Sequence, residues 1–140
     1  MTLAFRELHD VNLENLVSLW KICELTRPWN DPYTDIQFAR AGAASAILVG
    51  FLEERLVASV MVGHDGHRGA LYYLAVDPKF QKRGFGKATV AAAEAWLRER
   101  GVWKINLMVR SDNEKAGRFY ERLGYEVNPV QSFGKRIDVT

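Results

Sequence analysis

The chain has 140 residues, of which 48% are hydrophobic and 26% charged, with a formal net charge of +2 and a sequence pI near 8.8. That balance suits one soluble globular domain able to bury most of its apolar surface, and it lacks the clustered basic excess of a nucleic-acid-binding protein. A single cysteine, Cys23, excludes an intramolecular disulfide and fits a reducing, cytoplasmic compartment; no apolar run is long enough for a transmembrane helix, and the charged start MTLAFRELHD does not read as a signal peptide.

Residues 3–8 read as a short strand. Asn12 is placed to cap a helix in which Leu13, Leu16, Val17, Trp20 and Cys23 recur at helical spacing. On that stripe Cys23 reads as a buried structural thiol. Pro28 ends the helix nearby, and the loop RPWNDP leads to a second, weaker helix over 33–43. Segments 46–53 and 55–63 read as strands joined by a tight turn at Glu53 and Glu54. After the turn-rich HDGHRG comes ALYYLAV, residues 70–76, apolar at nearly every position, as in a central strand covered on both faces. Asp77-Pro78 stops it. Residues 84–100 read as a helix with Phe85, Ala88, Ala92 and Trp96 on one stripe, Arg98 and Arg100 near its C-terminus and Gly101 beyond. Residues 103–109 alternate as a strand, with Trp103, Ile105, Leu107 and Val109 facing one way. Asn113 or Asp112 caps a last helix carrying Ala116, Phe119, Tyr120 and Leu123, ended by Gly124; strands at 125–128 and 131–139 close the chain. The order β-α-α-β-β-β-α-β-α-β-β describes one α/β domain with a mixed sheet.

The chemistry concentrates at Gln81-Lys82-Arg83-Gly84-Phe85-Gly86-Lys87-Ala88. A buried strand ends, a short loop follows and two glycines open a helix. The first N–H groups of a helix have no partner within it, the dipole adds partial positive charge, and glycine lets an anion approach the backbone. Lys82, Arg83 and Lys87 add formal charge. Together these make a phosphate or pyrophosphate site. A Walker A loop does not fit, because Gly86-Lys87 is followed by Ala88 and no glycine stands five positions before Gly86. The dinucleotide fingerprint fits poorly, because Thr89 occupies its third small position and the loop lies past mid-chain.

Gln81-x-x-Gly84-x-Gly86 matches the (Gln/Arg)-x-x-Gly-x-(Gly/Ala) motif of the GNAT superfamily of acetyl-CoA-dependent acetyltransferases. The downstream block Asn113-x-x-Ala116-x-x-Phe119-Tyr120-x-x-Leu123-Gly124-Tyr125 resembles that family's other characteristic segment. HDGHRGALYYLAVDP together with RPWNDP resembles the small bacterial YpeA-like subgroup. The resemblance covers nearly the whole chain. It implies a single N-acetyltransferase domain over 1–140 with one mostly antiparallel twisted sheet flanked by helices, and acetyl-CoA as cosubstrate.

The resemblance also implies roles. The 71–76 strand carries a bulge and splays from the 104–109 strand, with pantetheine in the gap pairing with Leu74 and Val76. The stretch Gln81, Lys82, Arg83, Gly84, Phe85, Gly86 and Lys87 takes the pyrophosphate on its amides, Asn113 contacts the pantetheine arm, and Tyr120 is the general acid for the leaving thiolate. A tyrosine hydroxyl, protonated at neutral pH, suits that task, although a core tyrosine would look the same at this spacing. Many family members place a glutamate base on the strand before the turn; LYYLAV has none. His64, Asp65 and His67 stand nearby as alternatives to a water chain. The acceptor site is expected from RPWNDP and HDGHRG, with Arg27, Trp29, Asn30, Asp65 and Tyr72 as contacts and Asp31 and Arg68 as further charges. The expected partner is an unidentified small-molecule or peptide amine, with no nucleic acid, membrane or metal, and a monomer or homodimer. A non-catalytic acyl-CoA-binding module is the alternative that the missing glutamate favours.

Overall fold

A computed structural model describes residues 2–138. Its contacts divide the chain into two compact units, Met1–Met108 and Val109–Thr140.

The first unit is built on four antiparallel strands in the order β1 (Ala4–Glu7), β2 (Ser45–Leu52), β3 (Arg55–His64) and β4 (Gly69–Val76). β2 and β3 form a hairpin whose tight turn holds Glu53 at φ +56°. Every interior position of β2 is buried, so the sheet is covered on both faces. On one side Leu16 and Trp20 of α1 (Leu13–Ile22) and Ile36 and Ala39 of α2 (Pro32–Ala41) pack on Ile47, Val49 and Phe51, successive same-face residues of β2. α3 (Phe85–Glu99) packs on β3 and β4, with Phe85 against Val57 and Ala58. Its buried stripe is Phe85, Thr89, Val90, Ala93, Trp96 and Leu97, rotated from the expected line through Ala88 and Ala92 because the bulkier side chains turn inward.

Caps explain where the helices begin. Asn12 does not cap α1 with its side chain. It closes a 3₁₀ turn, Asp10–Asn12, through its N–H to His9 O at 2.9 Å, and this places it before the helix's free donors rather than over them. α2 starts at Pro32 because Asp31 caps it, its carboxylate accepting from Tyr33 N–H at 3.0 Å and Thr34 Oγ1 at 3.1 Å. Asp31, expected among the acceptor charges, is therefore a helix cap.

The strand expected at 103–109 needs correction. It meets β4 at one parallel bridge, Gly69 to Ile105, where Gly69 N–H donates to Lys104 O and Asn106 N–H donates to Gly69 O, both at 2.9 Å. No Cβ fits at Gly69: one would lie 2.6 Å from Leu97 Cδ1 of α3, so glycine allows helix and strand to close there. Beyond Ile105 the segment has no ladder with β4 among the described residues of this unit.

In the second unit, α4 (Glu114–Arg122) is capped by Asn113, whose Oδ1 accepts from Ala116 N–H at 3.1 Å, and Gly124 follows it at φ +94°. The final strands at 125–128 and 131–139 are likewise corrected. Among the described residues these segments form no ladder, and residue 139 lies outside them. Their alternation supplies a face, but a strand also needs a partner. Among the described residues the order is thus four strands, all paired antiparallel, and four α-helices in an α/β arrangement.

Candidate functional site: a bulged strand edge leading to a helix tip

β4 pairs with β3 at Ala70, Leu71 and Tyr72 and again at Ala75 and Val76, but the register shifts between Ser59 and Met61. Tyr73 and Leu74 therefore oppose Val60 alone, which makes a β-bulge. Tyr73 sits at φ +52°, a left-handed conformation that bulky residues rarely take. Strand alternation then tells which peptide groups face away from β3. Gly69 faces away, toward residues 104 and 106; at the other end Asp77 N–H turns inward to Val57 O at 2.8 Å. Counting back from Asp77, Val76 and Leu74 face outward. The extra residue in the bulge produces this parity, because an unbulged strand would turn Leu74 inward. Within this unit, β4 makes only the single parallel bridge at Gly69 and Ile105 on that outward side among the described residues. The Val76 carbonyl accepts from Gln81 Nε2 at 3.2 Å and from the Cys23 thiol at 3.3 Å, so its N–H is the group left for a ligand. Burial pushes the Cys23 thiol pKa up, as expected of a structural thiol.

β4 runs into the glycine turn through a 3₁₀ turn, Pro78–Phe80, capped by Asp77. Lys82 at φ +63° and Gly84 at φ +81° are both left-handed, and such successive turns point backbone N–H groups into one concavity. The first bond inside α3 is Ala88 N–H to Gly84 O at 3.1 Å, so Phe85, Gly86 and Lys87 N–H have no carbonyl one turn back. A Cβ at Gly84 would meet nothing within 4 Å; the position needs glycine for its dihedral angle and lies open to approach. Arg83 and Arg55 hold their guanidinium groups 5.2 and 5.1 Å from the Phe80 ring centroid, which braces the loop and adds positive charge beside it. The Phe85 side chain is buried in the core, so only its backbone faces the turn. This donor set fits a pyrophosphate.

A groove of about 1150 Å³ opens on the first unit, with Asn30, Asp35, His64, Asp65, Arg68 and Tyr72 among its polar lining. Of the expected acceptor contacts, Asn30, Asp65 and Tyr72 meet there. Arg27 and Trp29 do not: Arg27 donates to its own loop's carbonyls, Glu24 O at 2.7 Å and Thr26 O at 3.0 Å, and Trp29 is 72% exposed. Asp65 builds the HDGHRG turn, its Oδ1 accepting from His67 N–H at 2.9 Å and Arg68 N–H at 2.8 Å, and these bonds hold its carboxyl below the ordinary range. His64 Nδ1 accepts from Gly66 N–H at 3.0 Å, which occupies its lone pair and puts the proton on Nε2. The lowered carboxyl makes Asp65 a poor proton acceptor. Sequence reasoning missed Asp35, which accepts the Tyr73 hydroxyl at 2.6 Å; burial first, then this bond, raises the Tyr73 pKa far above its usual value. An aspartate in a helix's first turn reads as dipole complement, and nothing local marks it as groove-lining.

Within the second unit, Tyr120 lies on α4 with its ring edge-on to Phe119 at 5.0 Å and to Tyr125 at 5.6 Å. Burial raises its pKa, so the hydroxyl keeps its proton at neutral pH.

The sequence model of the acetyltransferase (GNAT) family matches residues 12–125. An acetyltransferase of Yersinia enterocolitica is 41% identical over 137 residues, covering 98% of this chain and 97% of that protein. An N-acetyltransferase of Yersinia pestis is 42% identical with the same coverage. Among solved structures, AAC(6')-Iy in complex with a CoA bisubstrate analogue superposes with a TM-score of 0.83 at 18% identity, over 97% of this chain and 99% of that one. The PaiA N-acetyltransferase of Thermoplasma acidophilum, in complex with coenzyme A, gives 0.77 at 17% identity, over 94% of each. At these identities the two structures are evidence of a shared fold. This chain belongs to the acetyltransferase (GNAT) family, enzymes whose cosubstrate is acetyl-CoA.

Proposed function

We propose that the enzyme transfers acetyl from acetyl-CoA to a primary amine by direct attack in a ternary complex. The observation that carries this reading is the continuous path from the bulged, outward-facing edge at Leu74 and Val76 to the unpartnered N–H groups of α3. The cosubstrate supplies the activated acyl group. Lys82, Arg83, Gly84, Phe85, Gly86 and Lys87 bind its pyrophosphate, with Gln81 holding the loop to β4. Leu74 N–H stabilises the charge developing on the carbonyl oxygen. Asn113 contacts the pantetheine arm. The amine nitrogen bonds to the acyl carbon, the C–S bond breaks, and Tyr120 gives its proton to the departing sulfur. The family match over 12–125 crosses the boundary between the two units and supports their acting as one catalytic domain.

With the Asp65 carboxylate bonded within the turn, the amine sheds its proton through a water chain to solvent. Neutral amine is then the reactive form, and kcat/KM rises with pH until the amine's own pKa is reached, ~10.4 for a lysine side chain and ~8 for a chain N-terminus. Asn30, Asp65 and Tyr72 shape the acceptor groove. We place the enzyme in the cytoplasm and in the YpeA-like subgroup, as a monomer or homodimer without nucleic-acid or membrane partners; among the described residues no helix is long and apolar enough to cross a membrane.

The test is thiol release from acetyl-CoA against a panel of lysine peptides, protein N-termini, amino acids and polyamines. Turnover with at least one amine, rising with pH, supports the reading. Tight CoA binding with no transfer to any amine would establish the binding-module alternative, which the absence of a carboxylate in LYYLAV favours.

A further inference from the structure

Residues from four elements converge on the bulge. Trp20 Nε1–H donates to Ser59 Oγ at 3.0 Å, and the Ser59 hydroxyl donates to the Tyr73 carbonyl at 3.2 Å. Trp20 and Ser59 are both fully buried. The Tyr73 ring lies flat on Trp20, with centroids 3.8 Å apart and planes 5° from parallel. The same ring carries its hydroxyl out to Asp35 Oδ2 at 2.6 Å, on the wall of the acceptor groove. Tyr73 is thus held at carbonyl, ring face and hydroxyl. A left-handed conformation at a bulky residue persists only where its surroundings over-determine it, and here three contacts do so. Opposite the bulge, Val60 alone cannot hold two residues.

We propose that Trp20, Ser59, Tyr73 and Asp35 form a clamp that sets the bulge and thereby aims Leu74 N–H at the acyl carbonyl, with Tyr73 as a positioning residue. The proposal rests on the acetyl-CoA reading above. Its outer end has a second consequence: the carboxylate that fixes Tyr73 also lines the groove, so an arriving ammonium meets a group already tied to the bulge. Acceptor and acyl sites are then mechanically linked through one tyrosine side chain. None of this needs the clamp to touch the pyrophosphate turn, so grip on CoA and aim at the carbonyl are separable.

The experiment uses acetyl-CoA labelled with carbon-13 at the carbonyl, bound at saturation to the full chain and observed by NMR. A hydrogen bond from Leu74 polarises the carbonyl and moves its signal away from the free position. Ser59→Ala and Tyr73→Phe are expected to return that signal at least halfway, while affinity for CoA stays within about two-fold. Asp35→Asn, whose amide oxygen still accepts the hydroxyl, keeps the wild-type signal, and Asp35→Ala matches Tyr73→Phe. If Ser59→Ala fails to fold because it orphans the buried Trp20 N–H, the Trp20→Phe, Ser59→Ala pair removes donor and acceptor together. Wild-type signals in Ser59→Ala and Tyr73→Phe would overturn the clamp, as would a wild-type signal at the free position while CoA binds. Absence of any CoA binding by the wild type would instead strike the cofactor reading itself.

Discussion

Replacing Gly84 with valine is expected to weaken CoA binding by at least about ten-fold, because a β-branched residue forced to φ +81° costs roughly 1–3 kcal/mol. The turn must either bear that strain or relax, and relaxation turns the N–H groups of Phe85, Gly86 and Lys87 away from a common centre. Gly84→Ala should give a smaller loss, since a Cβ at that site meets nothing within 4 Å and only the dihedral preference is lost. This graded order separates conformation from steric blocking: a simple clash would leave alanine harmless. Calorimetric titration with CoA checks both variants. Thermal melts without ligand show whether the loss is local, because Gly84 lies open and its replacement disturbs no core contact.

Tyr120→Phe is the second large effect. Its side chain is lost as a donor but not as a packing element, since the ring keeps its edge-on contacts with Phe119 and Tyr125. If its hydroxyl protonates the leaving sulfur, kcat falls by about a hundred-fold, within the range for general acid catalysis, and CoA affinity stays put. The wild-type pH profile adds a second check. Burial raises the Tyr120 pKa above its usual value of ~10, so the wild type keeps the acid form through neutral and mildly alkaline pH and loses activity only above that value. In the phenylalanine variant that alkaline loss disappears along with most of the turnover. Steady-state rates from pH 7 to 11 with the best amine of the panel decide it; turnover within two-fold of wild type at pH 8 would remove Tyr120 from the chemistry.

Local signals carried much of the molecule. Gly84 and Gly86 after an apolar strand marked a turn opening a helix with free N–H groups, and the structure adds that Lys82 shares the left-handed conformation of Gly84. Asn113 was legible as a cap because its side chain type and its place before an amphipathic run are a local pattern. The bulge was expected from family likeness, but the residue that makes it was not: Tyr73 takes φ +52° because Trp20, Ser59 and Asp35 hold it there, and these lie 53, 14 and 38 positions away in sequence. The same distance problem hid the role of Asp35. Arg27 and Trp29 stood out in the sequence because aromatic and cationic residues in a proline loop are conspicuous; in the structure Arg27 Nη1 bonds to its own loop's carbonyls. The segment at 103–109 has the right alternation for a strand, yet periodicity reports a face and says nothing of whether a ladder partner exists. Within the first unit the segment meets β4 only at the Gly69 to Ile105 bridge.

The central claim is that unpaired main-chain donors at the start of α3 grip the two linked phosphates of CoA. The most direct measurement is a paired calorimetric titration with CoA and with pantetheine, which keeps the thiol arm and lacks the pyrophosphate. Charge-assisted hydrogen bonds contribute about 1.5–3 kcal/mol each, so losing two or more should weaken pantetheine at least about a hundred-fold relative to CoA. Equal affinity for the two ligands would contradict the account.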